Sequence, residues 1–167
     1  MIPASRQRNY LQSALYVVIA GLAAALLLER LLTYAEAAEK SAMEATLSRL
    51  STAMYARLAL FVLRGDYQAV AALEEQSPFH TARAETPAYL GEFDGAPPNA
   101  EGGKWYFDRG LKQLVYVPNL KRYLEGERPG DPPTAIRFRA EVRKSGANTY
   151  AGVALIPTGE WRWDPRP

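Results

Sequence analysis

The chain has 167 residues, 48% of them apolar and 23% charged, with 20 Lys and Arg against 18 Asp and Glu and no cysteine. That length suits one modest domain, and the balance excludes a disordered or low-complexity chain. A formal charge of +2 is too small to point to nucleic acid, and the lack of thiols removes cysteine nucleophiles, disulfides, Fe–S clusters and the common zinc sites together.

The apolar residues are concentrated near the amino terminus. After Arg6 and Arg8, the run from Asn9 to Leu28 carries no charge until Glu29. About 20 helical residues at ~1.5 Å each cross a hydrocarbon core of ~30 Å. A signal peptide would have an apolar stretch of only about 7–15 residues, ending at a small-x-small cleavage site before polar sequence. Here Ala23-Ala24-Ala25 runs on into Leu26-Leu27-Leu28 and then Glu29-Arg30-Leu31-Leu32 without losing helical character, so residues 9–32 are expected to stay in the bilayer as a transmembrane helix. Residues 1–8 form a basic leader with no compensating acid, whereas Arg30 is offset by Glu29, Glu36 and Glu39. The amino terminus is therefore expected in the cytoplasm and everything after Leu32 outside.

Residues 33–76 read as the helical part of the outer domain. Met43, Leu47, Leu50, Met54, Leu58 and Phe61 recur at spacings of three and four, one stripe of a helix, with Lys40, Glu44, Arg49 and Arg57 between them. Glu36 stands four residues before Lys40, the spacing of a supporting ion pair. Arg64-Gly65 reads as a last basic turn and a left-handed cap, so one helix from about Leu11 to Arg64 would be ~80 Å long. Asp66 then caps a short helix, Tyr67 to Gln76, which Ser77-Pro78 ends.

Residues 77–103 hold Pro78, Pro87, Pro97, Pro98, Gly91, Gly95, Gly102 and Gly103 and read as an irregular connection. Residues 104–167 read as an antiparallel sheet. Trp105–Asp108 and Leu114–Val117 flank Arg109-Gly110 as a hairpin, Ile136–Arg143 alternates apolar and charged, Tyr150–Ile156 is a fourth strand and Trp161-Arg162-Trp163 a short last one. The expected fold is α+β: a long amino-terminal helix, its first half in the membrane, packed on a small antiparallel sheet, with Trp105 and Phe107 facing the Met/Leu stripe.

This layout resembles type IV pilins and the pseudopilins of type II secretion. Val17-Val18-Ile19-Ala20 is similar to their apolar segment and Gln7-Arg8 to the end of their basic leader. Pro87–Glu92, Trp105–Asp108 and Leu114-Val115-Tyr116 are similar to segments of bacterial pseudopilin-like proteins. The resemblance implies a structural protein of the inner membrane whose amino-terminal helix meets other pilin-like or secretion-assembly proteins, with homo-oligomers among its assemblies. The family's processing glycine aligns with Asn9, its first mature residue with Tyr10 and its assembly glutamate with Ala14. An intramembrane carboxylate is costly unless it meets an amine, and alanine removes both the cost and the attraction. The family's helix-breaking proline aligns with Leu31. The resemblance thus implies an uncleaved, minor or accessory component of a pilus or secretion machine.

Two other classes are open from the residues alone. A single-pass anchor could carry an outer binding or scaffold domain unrelated to filaments, since ten tyrosines and three tryptophans offer aromatic surface. An enzyme has little to work with. His80 is the only histidine, the pairs Glu74-Glu75 and Glu92/Asp94 have nothing that places a substrate, and no cofactor pattern is present. Asp108, Asp131, Glu160 and Asp164 could offer oxygen to calcium, but without a ligand spacing they read as turn residues, and no metal is expected. Arg137, Arg139 and Arg143 alternate on one strand face and are candidates for contact with an anionic surface, lipid headgroups before DNA.

Overall fold

The computed structural model describes residues 4–127, 133–146 and 149–166, with side chains described from Ser13 onward within the first helix. The order is α1 (Ala4–Leu63), α2 (Tyr67–Ala72), α3 (Pro78–Ala82), β1 (Tyr89–Phe93), β2 (Lys104–Asp108), β3 (Gln113–Val117), β4 (Leu124–Glu125), β5 (Ile136–Gly146), β6 (Thr149–Pro157) and β7 (Arg162–Trp163). The fold is α+β, a long apolar amino-terminal helix packed on a small, mostly antiparallel sheet.

With 60 residues, α1 is ~90 Å long. From Ser13 on, its first part is bare among the described residues: Leu15, Val17, Val18, Ile19, Leu22, Leu26, Leu27 and Leu28 are all exposed, and the helix is long and apolar enough there to cross a membrane. From Thr33 onward one face turns inward. Met43, Leu50, Met54 and Leu58 are buried, and Leu47 and Phe61 pack against the same clusters half-buried. The helix stops where glycine permits it to. Gly65 takes φ 70°, its N–H bonds to the Val62 carbonyl at 3.1 Å and that of Asp66 to the Phe61 carbonyl at 2.9 Å, which satisfies carbonyls a helix end leaves free. Asp66 then accepts from the Ala69 N–H at 3.0 Å as the N-cap of α2, which is shorter than its pattern suggests because Leu73 to Gln76 continue only as turns.

The main sheet has the order β1-β2-β3-β5-β6, and β4 and β7 form a separate two-stranded ribbon. Trp105 and Phe107 of β2, Leu114 and Tyr116 of β3 and Ile136 and Phe138 of β5 bury against Met43, Leu50, Phe79 and Trp163. Ala140 and Val153 meet Met54, Leu58, Val70 and Leu73 in a second cluster further along the helix. The aromatic rings interlock: Trp105 and Tyr116 have centroids 4.6 Å apart, Phe79 and Tyr89 4.3 Å. Aromatic pairs of this kind add to the area they bury, which a small sheet needs.

The connection 77–103 is more regular than its prolines and glycines imply. Pro78 opens α3, where a missing N–H costs nothing, and Phe79 anchors that turn in the core. Tyr89–Phe93 forms a parallel edge strand against β2, with Tyr89 opposite Trp105 and a register shift before Glu92 at Gly91, whose φ is 111°. The interrupting glycine, which marks a bulge here, hides the strand's alternation. A second correction concerns Glu36. It does not pair with Lys40, which instead lies 3.8 Å from Glu44; Glu36 shares the helix phase of Met43 and points into the domain.

Candidate functional site

The polar residues of α1 that face the domain lie directly below its apolar seam. Glu29, Thr33, Glu36 and Met43 continue the three-and-four spacing backwards toward the apolar run, with Glu39 at the edge of the same face. Their partners come from the segment after β3. Pro118 has no N–H, is buried, and ends the strand, so the following amides have no ladder to join. The helix carboxylates take them instead.

Glu39 receives three hydrogen bonds: the Tyr116 hydroxyl donates to Oε1 at 2.8 Å, the Asn119 N–H to Oε1 at 2.6 Å and the Leu120 N–H to Oε2 at 3.0 Å. Oε1 of Glu36 accepts from the Tyr123 N–H at 2.9 Å and from the Trp163 indole N–H at 2.8 Å, and this carboxylate is only 2% exposed. Thr33 Oγ1 and the Tyr123 hydroxyl are 3.3 Å apart, and Arg122 reaches Glu29 at 2.8 Å. A buried carboxylate met by two neutral donors and no cation is costly to bury, and the donors recover that cost only in one geometry. Tyr116 loses access to water and lies beside the Glu39 carboxylate, so its hydroxyl is held well above the ordinary tyrosine range. The hydrogen bond from Arg166 first, and from Arg162 next, holds the Asp164 carboxyl below its ordinary value.

The backbone must come close for this to work. A Cβ on Gly102 would lie 2.6 Å from the Asn119 backbone, so only glycine fits beside the segment that feeds Glu39. The tertiary contact also joins distant parts of the chain: Trp163, at the end of β7, is brought to Glu36 by the pairing of Arg162 and Trp163 with Glu125 and Leu124. This arrangement clamps the domain to α1 just beyond its exposed apolar half. Among the described residues no three His, Cys, Asp or Glu side chains stand together as metal ligands.

Asn9 and Tyr10 lie on α1 with side chains outside the described residues, and Ala14 is exposed on it. The seam residues Met43, Leu47, Leu50, Met54, Leu58, Phe61, Trp105 and Phe107 come together as described above. Arg137 borders a cleft with Glu127 and Glu160, and Arg139 one with Glu74, Glu75 and Glu141. Arg143 is exposed near the end of β5. His80 is exposed on α3. Asp108 is buried and accepts from the Leu111 N–H at 3.1 Å within the β2–β3 turn, Asp164 is taken by Arg162 and Arg166, and Asp131 lies outside the described residues. Sequence reasoning missed Glu29, Thr33, Glu36 and Glu39; stepping the Met43 stripe back by seven, three and four residues reaches Glu36, Thr33 and Glu29. Comparison with protein-family models, with curated proteins and with solved structures gave no match, so the reading of this site rests on its geometry.

Proposed function

We propose that the protein is a pilin-like protein of the bacterial inner membrane, a minor, accessory or structural component of a type IV pilus or type II secretion assembly. In this reading residues 9–32 cross the bilayer, the amino terminus faces the cytoplasm and the sheet domain stands in the periplasm. One observation carries it: a single uninterrupted helix is both the exposed apolar segment and the spine of the sheet domain. A flexible linker would let the domain drift; the carboxylate clamp on Glu36 and Glu39 favours a domain held at a fixed attitude to its anchor, as a part of a larger assembly requires. Ala14 gives the span no carboxylate to offer a neighbour's amine, which favours a membrane-retained role over a repeating filament subunit. The reading assigns the protein no catalysis and no cofactor.

Two measurements on protein purified from native membranes test it. Affinity capture under membrane-preserving conditions is expected to recover pilus or secretion components, and recovery of none of them refutes the assignment. Intact mass then separates the roles: a chain retaining Asn9 is an uncleaved accessory anchor, whereas one beginning at Tyr10 with an added methyl group is a filament or tip subunit. The second reading, an anchored periplasmic binding or scaffold domain unrelated to filaments, is favoured by the edge position of β1, whose outer side pairs with no strand among the described residues, the position from which a sheet accepts a partner strand. Capture of envelope proteins lost on replacing a β1 residue by proline would support that reading instead.

A further inference from the structure

Between α1 and the near edge of the sheet domain lies a cleft of about 430 Å³ lined by Leu26, Glu29, Arg30, Thr33, Tyr123 and Arg166. We propose that it holds the phosphate of an anionic phospholipid headgroup; the proposal rests on the reading of residues 9–32 as a membrane span. The depth is right for that ligand. Leu26 belongs to the last turn of the uncharged run and Thr33 lies ~10 Å further along the axis, while the headgroup layer adds roughly 5–7 Å to each side of the hydrocarbon core. The cleft therefore opens at the boundary where acyl chain gives way to phosphate.

Its charge fits as well. Arg30 has no carboxylate within ion-pair distance among the described residues. Arg166 and Arg162 share the single carboxylate of Asp164 at 2.7 and 3.1 Å, and Glu29 is already met by Arg122 at 2.8 Å. The lining thus sets two guanidinium groups, Arg30 and Arg166, against the single carboxylate of Glu29, which Arg122 already neutralises. Guanidinium presents a planar fork of donors that matches a phosphate, and the Leu26 and Tyr123 side chains supply an apolar wall for the glycerol and upper acyl carbons. Tyrosine is also a residue of the bilayer interface. Arg30 and Arg166 are both exposed and hold no part of the core, and Arg166 shares its carboxylate partner Asp164 with Arg162, which can keep Asp164 paired when Arg166 turns toward a ligand.

Native mass spectrometry of the full-length protein in detergent, with phosphatidylglycerol or phosphatidylcholine of identical acyl chains, tests the proposal. Retention of phosphatidylglycerol is expected to exceed that of phosphatidylcholine several-fold and to fall to parity in Arg30→Gln/Arg166→Gln. The control Arg49→Gln/Arg64→Gln, which removes as much charge far from the cleft, is expected to keep the excess. Equal retention of the two lipids by the wild type, or loss of the excess in both double variants alike, overturns the site. Retention of inorganic phosphate with no excess of phosphatidylglycerol overturns the lipid as occupant. Flotation with phosphatidylcholine vesicles keeps the two readings apart: protein that floats but shows no phosphatidylglycerol preference refutes the cleft alone, and protein that never floats refutes the span.

Discussion

Replacing Glu36 by alanine removes the acceptor shared by the Tyr123 amide and the Trp163 indole, at 2.9 and 2.8 Å, in a place that is 2% exposed. Each buried donor left without a partner costs ~1–3 kcal/mol. Relief of the carboxylate's own burial returns part of this, so a net loss of about 3 kcal/mol is expected. For a domain of this size that corresponds to a fall in melting temperature of roughly 12 °C. The assay is thermal unfolding of the full-length protein in detergent, followed by tryptophan fluorescence, with Glu44→Ala as control: Glu44 sits two turns further along α1, is exposed, and lies 3.8 Å from Lys40. The control is expected to change stability by less than ~0.5 kcal/mol. A double-mutant cycle of Glu36→Ala with Trp163→Phe should be non-additive by ~1 kcal/mol or more, because both changes remove one hydrogen bond. If Glu36→Ala melts with Glu44→Ala, or if the cycle is additive, the carboxylate does not clamp the domain.

Three further outcomes are expected. Met54→Ala, at a side chain fully buried between α2 and the sheet, should cost ~2–5 kcal/mol, against less than ~0.5 kcal/mol for Leu63→Ala, which is 83% exposed; calorimetry of both variants checks the difference. Asp66→Ala removes the side-chain acceptor for the Ala69 N–H and should destabilise by about 1 kcal/mol, with Asp66→Asn recovering most of it in the same melt. Burial and the Glu39 carboxylate raise Tyr116 above its ordinary value of 10.0, and Tyr89 and Tyr106 are raised by burial too. Their folded forms hold protons more tightly than the unfolded chain, so this stability is intact below pH 10.0 and drains away above it, as the unfolded tyrosines ionise first. Denaturant titrations across that range should show a shallower alkaline decline in Tyr116→Phe than in the wild type; an identical slope would refute the assigned environment.

Much of the architecture is local and periodic, and that is why it was legible without coordinates. The charge-free run, the Met43-to-Phe61 stripe, the Gly65 cap, the Asp66 N-cap and the alternating strands at 105–108, 114–117, 136–143 and 150–156 each depend on neighbours within a turn or a strand. Their spacing fixes which face is apolar, and burial follows. What lay beyond the sequence involves partners far apart along it. Tyr89–Phe93 becomes a strand only because β2 accepts it in parallel, and Leu124–Glu125 only because β7 returns to it.

Glu36 is the clearest instance. Its neighbours in sequence offer Lys40 at ion-pair spacing, but its helix phase is that of Met43, and the domain brings an amide and an indole from Tyr123 and Trp163 to the buried side. A carboxylate chooses between such partners by which of them remains once water is excluded, and only the assembled tertiary structure decides where water is excluded. The sequence by itself determined that a long helix leaves an apolar segment and enters a sheet domain. The tertiary structure decided how firmly the two are joined, because the donors that satisfy Glu36 and Glu39 belong to backbone and side chains no local pattern can bring to the helix.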